Sequence, residues 1–247
     1  MPLRILITGA NRGIGLEMTR QAAQRGDSVI AACRNPDTAS NLQRLASEVG
    51  LQISIVGMDV ANDSSVAAAA SSISNTITGA LDLVVANAGH LNARGGLQDP
   101  EHTQGNIAAT LMTNVAGVFF TARHFLPHLR AAALNGSASL DGSASLARLA
   151  VISSQMGSST RAGISAPIYR ASKAAATNLA RSLSLELAPD NIAVGAWHPG
   201  WVQTDMGGSE AAITPQTSAA GLLSRFDSLS MQTSGVFEDY AGTPHPF

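Results

Sequence analysis

Short apolar runs recur along the chain, separated by longer stretches in which apolar residues return every three or four positions. The runs at 3–7, 28–33, 52–56, 81–86, 149–153, 192–197 and 236–237 are too short for buried helices and rich in Ile, Val and Leu, so they predict strands. The stretches 16–25, 37–49, 64–77, 106–133, 166–187 and 215–229 predict helices, the last opened by Thr214 as N-cap and Pro215 in the first turn. Strands that are apolar on both sides and alternate with helices imply an α/β chain whose parallel sheet is covered on both faces. One segment breaks the rhythm. Between Ala131 and Arg148 the chain turns to alanine, serine and glycine, and Gly136-Ser137-Ala138-Ser139-Leu140 is repeated as Gly142-Ser143-Ala144-Ser145-Leu146. It reads as an insertion that buries little, and its place between a helix and the start of a strand predicts a peripheral loop at the sheet end away from the chemistry.

Composition narrows the function classes. A chain of 247 residues with 45% hydrophobic content can bury one sizeable core, so a single domain over 1–247 is expected. A net charge of −2 without a lysine or arginine cluster offers no electrostatic footprint for nucleic acid or an anionic membrane. Cys33 is alone in the chain, which excludes an internal disulfide, and its apolar surroundings predict a buried structural thiol. No stretch has a signal-peptide layout or transmembrane length, so the expectation is a cytoplasmic protein. The histidines at 90, 102, 124, 128, 198 and 245 show no ligand spacing, and no metal is expected. His198 reads as the end of a strand, and His90 as a surface residue in preference to one bordering a substrate pocket.

Two patterns carry candidate chemistry. The first strand runs into Thr8-Gly9-Ala10-Asn11-Arg12-Gly13-Ile14-Gly15 before a helix, which is a phosphate-binding arrangement. Gly9 permits a tight turn, Gly13 lets the backbone approach a pyrophosphate, and Gly15 allows close helix packing. The spacing G-x-x-x-G-x-G shares the mechanism of the dinucleotide fingerprint but not its letters. Tyr169 and Lys173, four apart in Tyr169-Arg170-Ala171-Ser172-Lys173, lie on one helical face. A free phenol titrates near pH 10, and a neighbouring ammonium favours its ionised form, so the pair reads as an acid–base device.

With these patterns stand Asp59-Val60, Asn87-Ala88-Gly89, Asn114, Ser153-Ser154 and Pro199-Gly200-Trp201-Val202-Gln203-Thr204. Taken together and in this order, they resemble the short-chain dehydrogenase/reductase family in its single-domain form, over essentially the whole chain. The stretches 11–17 and 199–208 look most like the sniffer-like and C-factor-like carbonyl reductases of that family. The resemblance implies a doubly wound, seven-stranded parallel sheet of the Rossmann type in the order 3-2-1-4-5-6-7, with ligands at the carboxyl ends of the strands. It implies catalysis by Asn114, Ser154, Tyr169 and Lys173. Tyr169 would be the acid in carbonyl reduction, and Ser154, chosen over Ser153, would bond the substrate oxygen. Lys173 would lower the Tyr169 pKa and bind the nicotinamide ribose, and Asn114 would hold a relay water. An asparagine satisfied by backbone is the other reading of Asn114.

For the cofactor, the resemblance implies the turn residues Gly9, Asn11, Arg12, Gly13, Ile14 and Gly15. Asp59 and Val60 would meet the adenine, although Asp59 could equally cap a turn. Asn87, Ala88 and Gly89 would close the fourth strand against the cofactor, and Pro199, Gly200, Val202 and Thr204 would hold the nicotinamide. Arg34 ends the second strand about twenty residues beyond Gly15, where the ribose-reading residue is expected. A guanidinium there, with Arg12, points to NADP(H) rather than NAD. Only residues 205–213 separate Thr204 from the next helix, so an open pocket is expected, with Gln155, Met156 and Trp201 as walls. The expected activity is reversible reduction of a small-molecule ketone or aldehyde. Alcohol oxidation and a dinucleotide-binding regulator are the alternatives, and pairing of the long helices implies a homodimer or homotetramer.

Overall fold

The structure, a computed structural model, describes residues 2–74, 79–135 and 146–247. Seven parallel strands form one sheet in the order β3-β2-β1-β4-β5-β6-β7. They are β1 (Arg4–Thr8), β2 (Ser28–Cys33), β3 (Gln52–Gly57), β4 (Leu83–Ala86), β5 (Ala147–Ile152), β6 (Ile192–His198) and β7 (Phe237–Asp239). Each predicted strand is present, with ends shifted by a residue or two. Leu81, for example, lies before β4 and gives its N–H to the His128 carbonyl instead of the ladder. The helices are α1 (Gly13–Gln24), α2 (Ser40–Ala46), α3 (Asp63–Ser74), α4 (Gln104–Leu111), α5 (Gly117–Asn135), α6 (Pro167–Glu186) and α7 (Pro215–Ser228).

Two apolar layers hold these helices to opposite faces of the sheet. Met18 of α1, Leu42 of α2 and Leu222 and Phe226 of α7 pack on one face. Val66 of α3, Phe125 and Leu129 of α5 and Leu183 of α6 pack on the other. Strand β6 is buried along its full length, as expected of a strand with helices on both sides.

Two expectations need correction. The helix expected at 106–133 begins at Gln104, where the Thr103 hydroxyl accepts from the Asn106 N–H at 3.2 Å, and it is broken by a π-turn over Met112–Ala116. Periodicity alone cannot reveal such a turn, because one extra residue leaves the apolar spacing almost intact. The stretch expected to loop out from 131 is still helical to Asn135, and the strand resumes at Ala147, as the high helix propensity of Ala131, Ala132 and Ala133 explains. The repeat at 136–146 falls almost wholly outside the described residues.

The strand order reverses between β1 and β4. Connections from these two strands leave in opposite directions, which opens a crevice at their carboxyl ends.

Candidate active site

The glycine turn fills one wall of that crevice. Gly9 and Gly13 adopt φ of +65° and +55°, the left-handed region that side chains resist. A Cβ on Gly9 would lie 3.0 Å from the Ala88 Cα, and one on Gly15 would collide with the Gly9 carbonyl oxygen. α1 starts at Gly13 with Arg12 as an extended N-cap that makes no side-chain capping bond. Its first-turn N–H groups thus lack a side-chain acceptor, which leaves them for an anion. Asn87 clasps the turn: its Nδ2 donates to the Thr8 carbonyl at 2.8 Å, and the Thr8 hydroxyl accepts from the N–H groups of Asn87 and Ala88.

α6 brings in the acid–base pair. Ala166 turns the chain through the left-handed region, at φ +48°, and Pro167 starts the helix. Tyr169 and Lys173 are both buried, and the Lys173 ammonium donates to the Ile152 carbonyl at 2.8 Å. The Ser153 hydroxyl is consumed within the fold, donating to the Lys173 carbonyl at 3.0 Å and lying 2.5 Å from the Thr177 hydroxyl. Ser154 caps a short 3-10 turn by accepting from the Met156 N–H at 3.1 Å, and its hydroxyl lowers the pKa of the Tyr169 phenol.

Burial pushes the Tyr169 pKa up to about 12, against the bond from Ser154 and the charge of Arg94, which both lower it. Burial likewise pushes Lys173 down to about 8. The Lys173 ammonium sits 5.7 Å from the phenol ring centroid with a donor committed to Ile152.

The π-turn places Asn114 at the back of the pair, fully buried. Its Nδ2 donates to the His90 carbonyl and the Ser172 hydroxyl, both at 2.9 Å, and its Oδ1 accepts from the His90 N–H at 2.8 Å. Both donors are thus used, and one lone pair of Oδ1 is left for a water. Gly89 runs between these groups: a Cβ there would lie 3.6 Å from the Lys173 Nζ and 3.7 Å from the Asn114 Oδ1.

The crevice is a cleft of about 790 Å³. Of the residues singled out in the sequence, Gly9, Asn11, Arg12, Gly13, Ile14, Gly15, Arg34, Asp59, Val60, Asn87, Ala88, Gly89, Tyr169, Lys173, Pro199 and Thr204 line it. Asn114, Ser154, Gly200 and Val202 do not. Val202 is buried and bridged to Ile213, and the Thr204 hydroxyl bonds within its own loop, to the Val202 carbonyl and the Gly207 N–H. Asp59 does cap a turn, its Oδ1 accepting from the Ala61 N–H at 3.0 Å. Arg34 is exposed and makes no hydrogen bond or ion pair among the described residues, whereas Arg12 meets Asp205 at 2.9 Å on the surface. The cleft fits a dinucleotide, because its closest wall is built from glycines whose Cβ positions fall on other atoms and its open end carries an uncommitted guanidinium.

Of the two readings of His90 the cleft side holds: it is half-buried in the cleft wall, and its Nε2 has no hydrogen-bond partner among the described residues. Burial and the charges of Arg34 and Arg12 lower its pKa. Thr8, Ser172 and Arg94 were missed. Ser172 had a signal, since it sits three residues after Tyr169 on the same helical face.

Comparisons with known proteins agree with this geometry. The family model described as short chain dehydrogenase matches residues 4–213, so the chain belongs to that family. The C-signal protein of Myxococcus xanthus is 36% identical over 176 residues, covering 70% of this chain and 96% of that protein. The NADPH-bound carbonyl reductase from chicken fatty liver superposes with a TM-score of 0.90 at 33% identity, covering 100% of this chain and 99% of that one. The carbonyl reductase Sniffer of D. melanogaster superposes at 0.89 with 29% identity, covering 100% of both chains.

Proposed function

We propose that this short-chain dehydrogenase reduces ketones or aldehydes to alcohols with NADPH, reversibly. The observation that carries the reading is the Tyr169 side chain, buried in the cleft wall with the Lys173 ammonium 5.7 Å from its ring centroid, and burial raises its pKa so that the phenol stays protonated. A proton donor to a developing alkoxide must keep its proton until charge arrives, and this phenol does so across the neutral range. Ser154 can then bond the same oxygen as negative charge gathers on it. Lys173, beside Gly89, is placed for ribose hydroxyls, and Asn114 holds the 89–90 backbone against α6 with one acceptor left for a relay water.

The nicotinamide group, when bound, supplies the hydride. The chain would hold its pyrophosphate at Gly9 to Gly15, its adenine by Asp59 and Val60, and its carboxamide by the segment from Pro199 and Gly200 to Val202 and Thr204. The unpaired Arg34 and the surface Arg12 support NADPH over NADH, as does the NADPH in the chicken carbonyl reductase structure. Apolar side chains exposed on α5 and α6, Phe119 and Leu185, support assembly with a second copy.

The test is Tyr169→Phe, assayed for coenzyme affinity and carbonyl reduction side by side. Coenzyme binding should persist while turnover falls by roughly 10²–10⁴, the usual worth of a positioned acid. A variant that turns over at the wild-type rate would remove Tyr169 from the acid's role.

A further inference from the structure

Some arginines meet carboxylates, among them Arg4 with Asp82, Arg12 with Asp205, Arg25 with Asp227, Arg130 with Asp190 and Arg225 with Glu238, while others, Arg148 among them, bond neutral oxygens instead. Three of the second kind gather where α6 begins. Arg94 donates to the Met206 carbonyl at 2.8 Å, Arg161 to the Gln155 side-chain oxygen at 2.8 Å, and Arg170 to the carbonyls of Ser165 and Arg161. All three guanidiniums bond neutral oxygens only, and none has an ion pair among the described residues. A guanidinium offers five N–H donors, so Arg94 keeps donors for a further acceptor.

The acids nearby are engaged. Asp99 accepts from the N–H groups of Gly95 and Glu101, Glu101 accepts from Asn106, and Asp205 is held by Arg12. Arg94 also bridges the cleft mouth. Its backbone carbonyl accepts from the Ala166 N–H at 3.2 Å, where α6 begins, while its side chain reaches the loop after Thr204. The same three loops expose Leu97 at 91%, Ile164 at 95% and Trp201 at 54%.

We propose that Arg94 is a specificity-determining residue that selects carbonyl substrates carrying a carboxylate, whose apolar body rests on Leu97, Ile164 and Trp201. The inference rests on the reductase reading above. A bidentate guanidinium–carboxylate contact at this mouth would anchor the substrate with its carbonyl towards Ser154 and Tyr169. Arg161 and Arg170 add positive potential that draws the anion in, an effect that salt weakens.

The experiment compares pairs in which the charge lies away from the reacting carbonyl: 4-acetylphenylacetate with its methyl ester, and levulinate with its methyl ester. The acids should show kcat/KM about tenfold above their esters, a preference that shrinks with added salt. Arg94→Gln should lower kcat/KM for the acids about tenfold more than for the esters, and Arg94→Lys should restore part of that difference. Esters reduced as well as acids, or an equal loss for both in Arg94→Gln, would overturn the proposal. A second readout separates this from the reductase reading: phenylacetate binding, followed by Trp201 fluorescence. It should be present in the wild type, absent for phenylacetamide and lost in Arg94→Gln even if no carbonyl compound is turned over. Equal binding of phenylacetate and phenylacetamide would overturn the carboxylate subsite, whereas carboxylate-selective binding without reduction of any pair would count against the reductase reading alone.

Discussion

Tyr169 and Lys173 are buried together on one face of α6, and no carboxylate acts on either. For Lys173 this has a thermodynamic sign. Its folded pKa of about 8 lies below the ordinary 10.5, so its burial subtracts stability as pH falls from 10.5 through 8 and leaves a constant deficit below that. Lys173→Met should therefore raise stability, by about 1–3 kcal/mol in urea unfolding at neutral pH, while coenzyme binding and turnover both fall. A destabilised variant would mean that the bond to Ile152 outweighs the desolvation. At this scale the sequence was legible where one helix turn brings residues together, as with Tyr169 and Lys173. It was silent on Thr8 and Arg94, whose roles are set by Asn87 and Met206, both distant in the chain, and it placed Ser172 on the Tyr169 face without showing its bond to Asn114.

Elements were legible by period, and their irregularities were not. The π-turn at Met112–Ala116 sets Asn114 behind Tyr169, and Gly117 follows it because a Cβ there would come within 2.9 Å of Val60. A similar unit joins the end of β6 to the segment after β7. His245 donates its N–H to the Phe237 carbonyl at 2.8 Å and lies with its ring 5.5 Å from that of His198, and neither ring nitrogen of His245 has a hydrogen-bond partner among the described residues. Burial, with the charges of His245 and Arg161 outweighing that of Asp239, pushes His198 down to about 4. His245 is lowered too, by burial first and then by Arg161, against Asp239. Because these folded values lie below the ordinary 6.5, the unfolded chain takes up protons first. Stability is complete above pH 6.5 and falls as pH drops from 6.5 through about 4, by up to about 3 kcal/mol for His198. Urea midpoints measured at pH 7 and pH 5 should differ accordingly, and His198→Gln should flatten the dependence. An unchanged slope in that variant would assign the acid sensitivity elsewhere.

At the scale of the molecule, the parallel sheet was legible because short buried runs alternate with helices, its strand order came from the family resemblance, and the crevice follows from the reversal between β1 and β4. The family motifs converge there because they sit at carboxyl ends of strands, so the distant segments from Gly9 to Thr204 meet in one cleft of about 790 Å³. The account's central claim is that this cleft serves NADPH-linked carbonyl reduction, and steady-state kinetics of the unmodified protein with a panel of aldehydes and ketones test it most directly. NADPH should be consumed in step with alcohol formed, with kcat/KM roughly a hundredfold above that for NADH, as one or two charge-assisted bonds from Arg34 and Arg12 to a phosphate would give. Arg34→Asp should abolish the preference. Failure to consume NADPH with any carbonyl compound, or equal or better efficiency with NADH, would contradict the account.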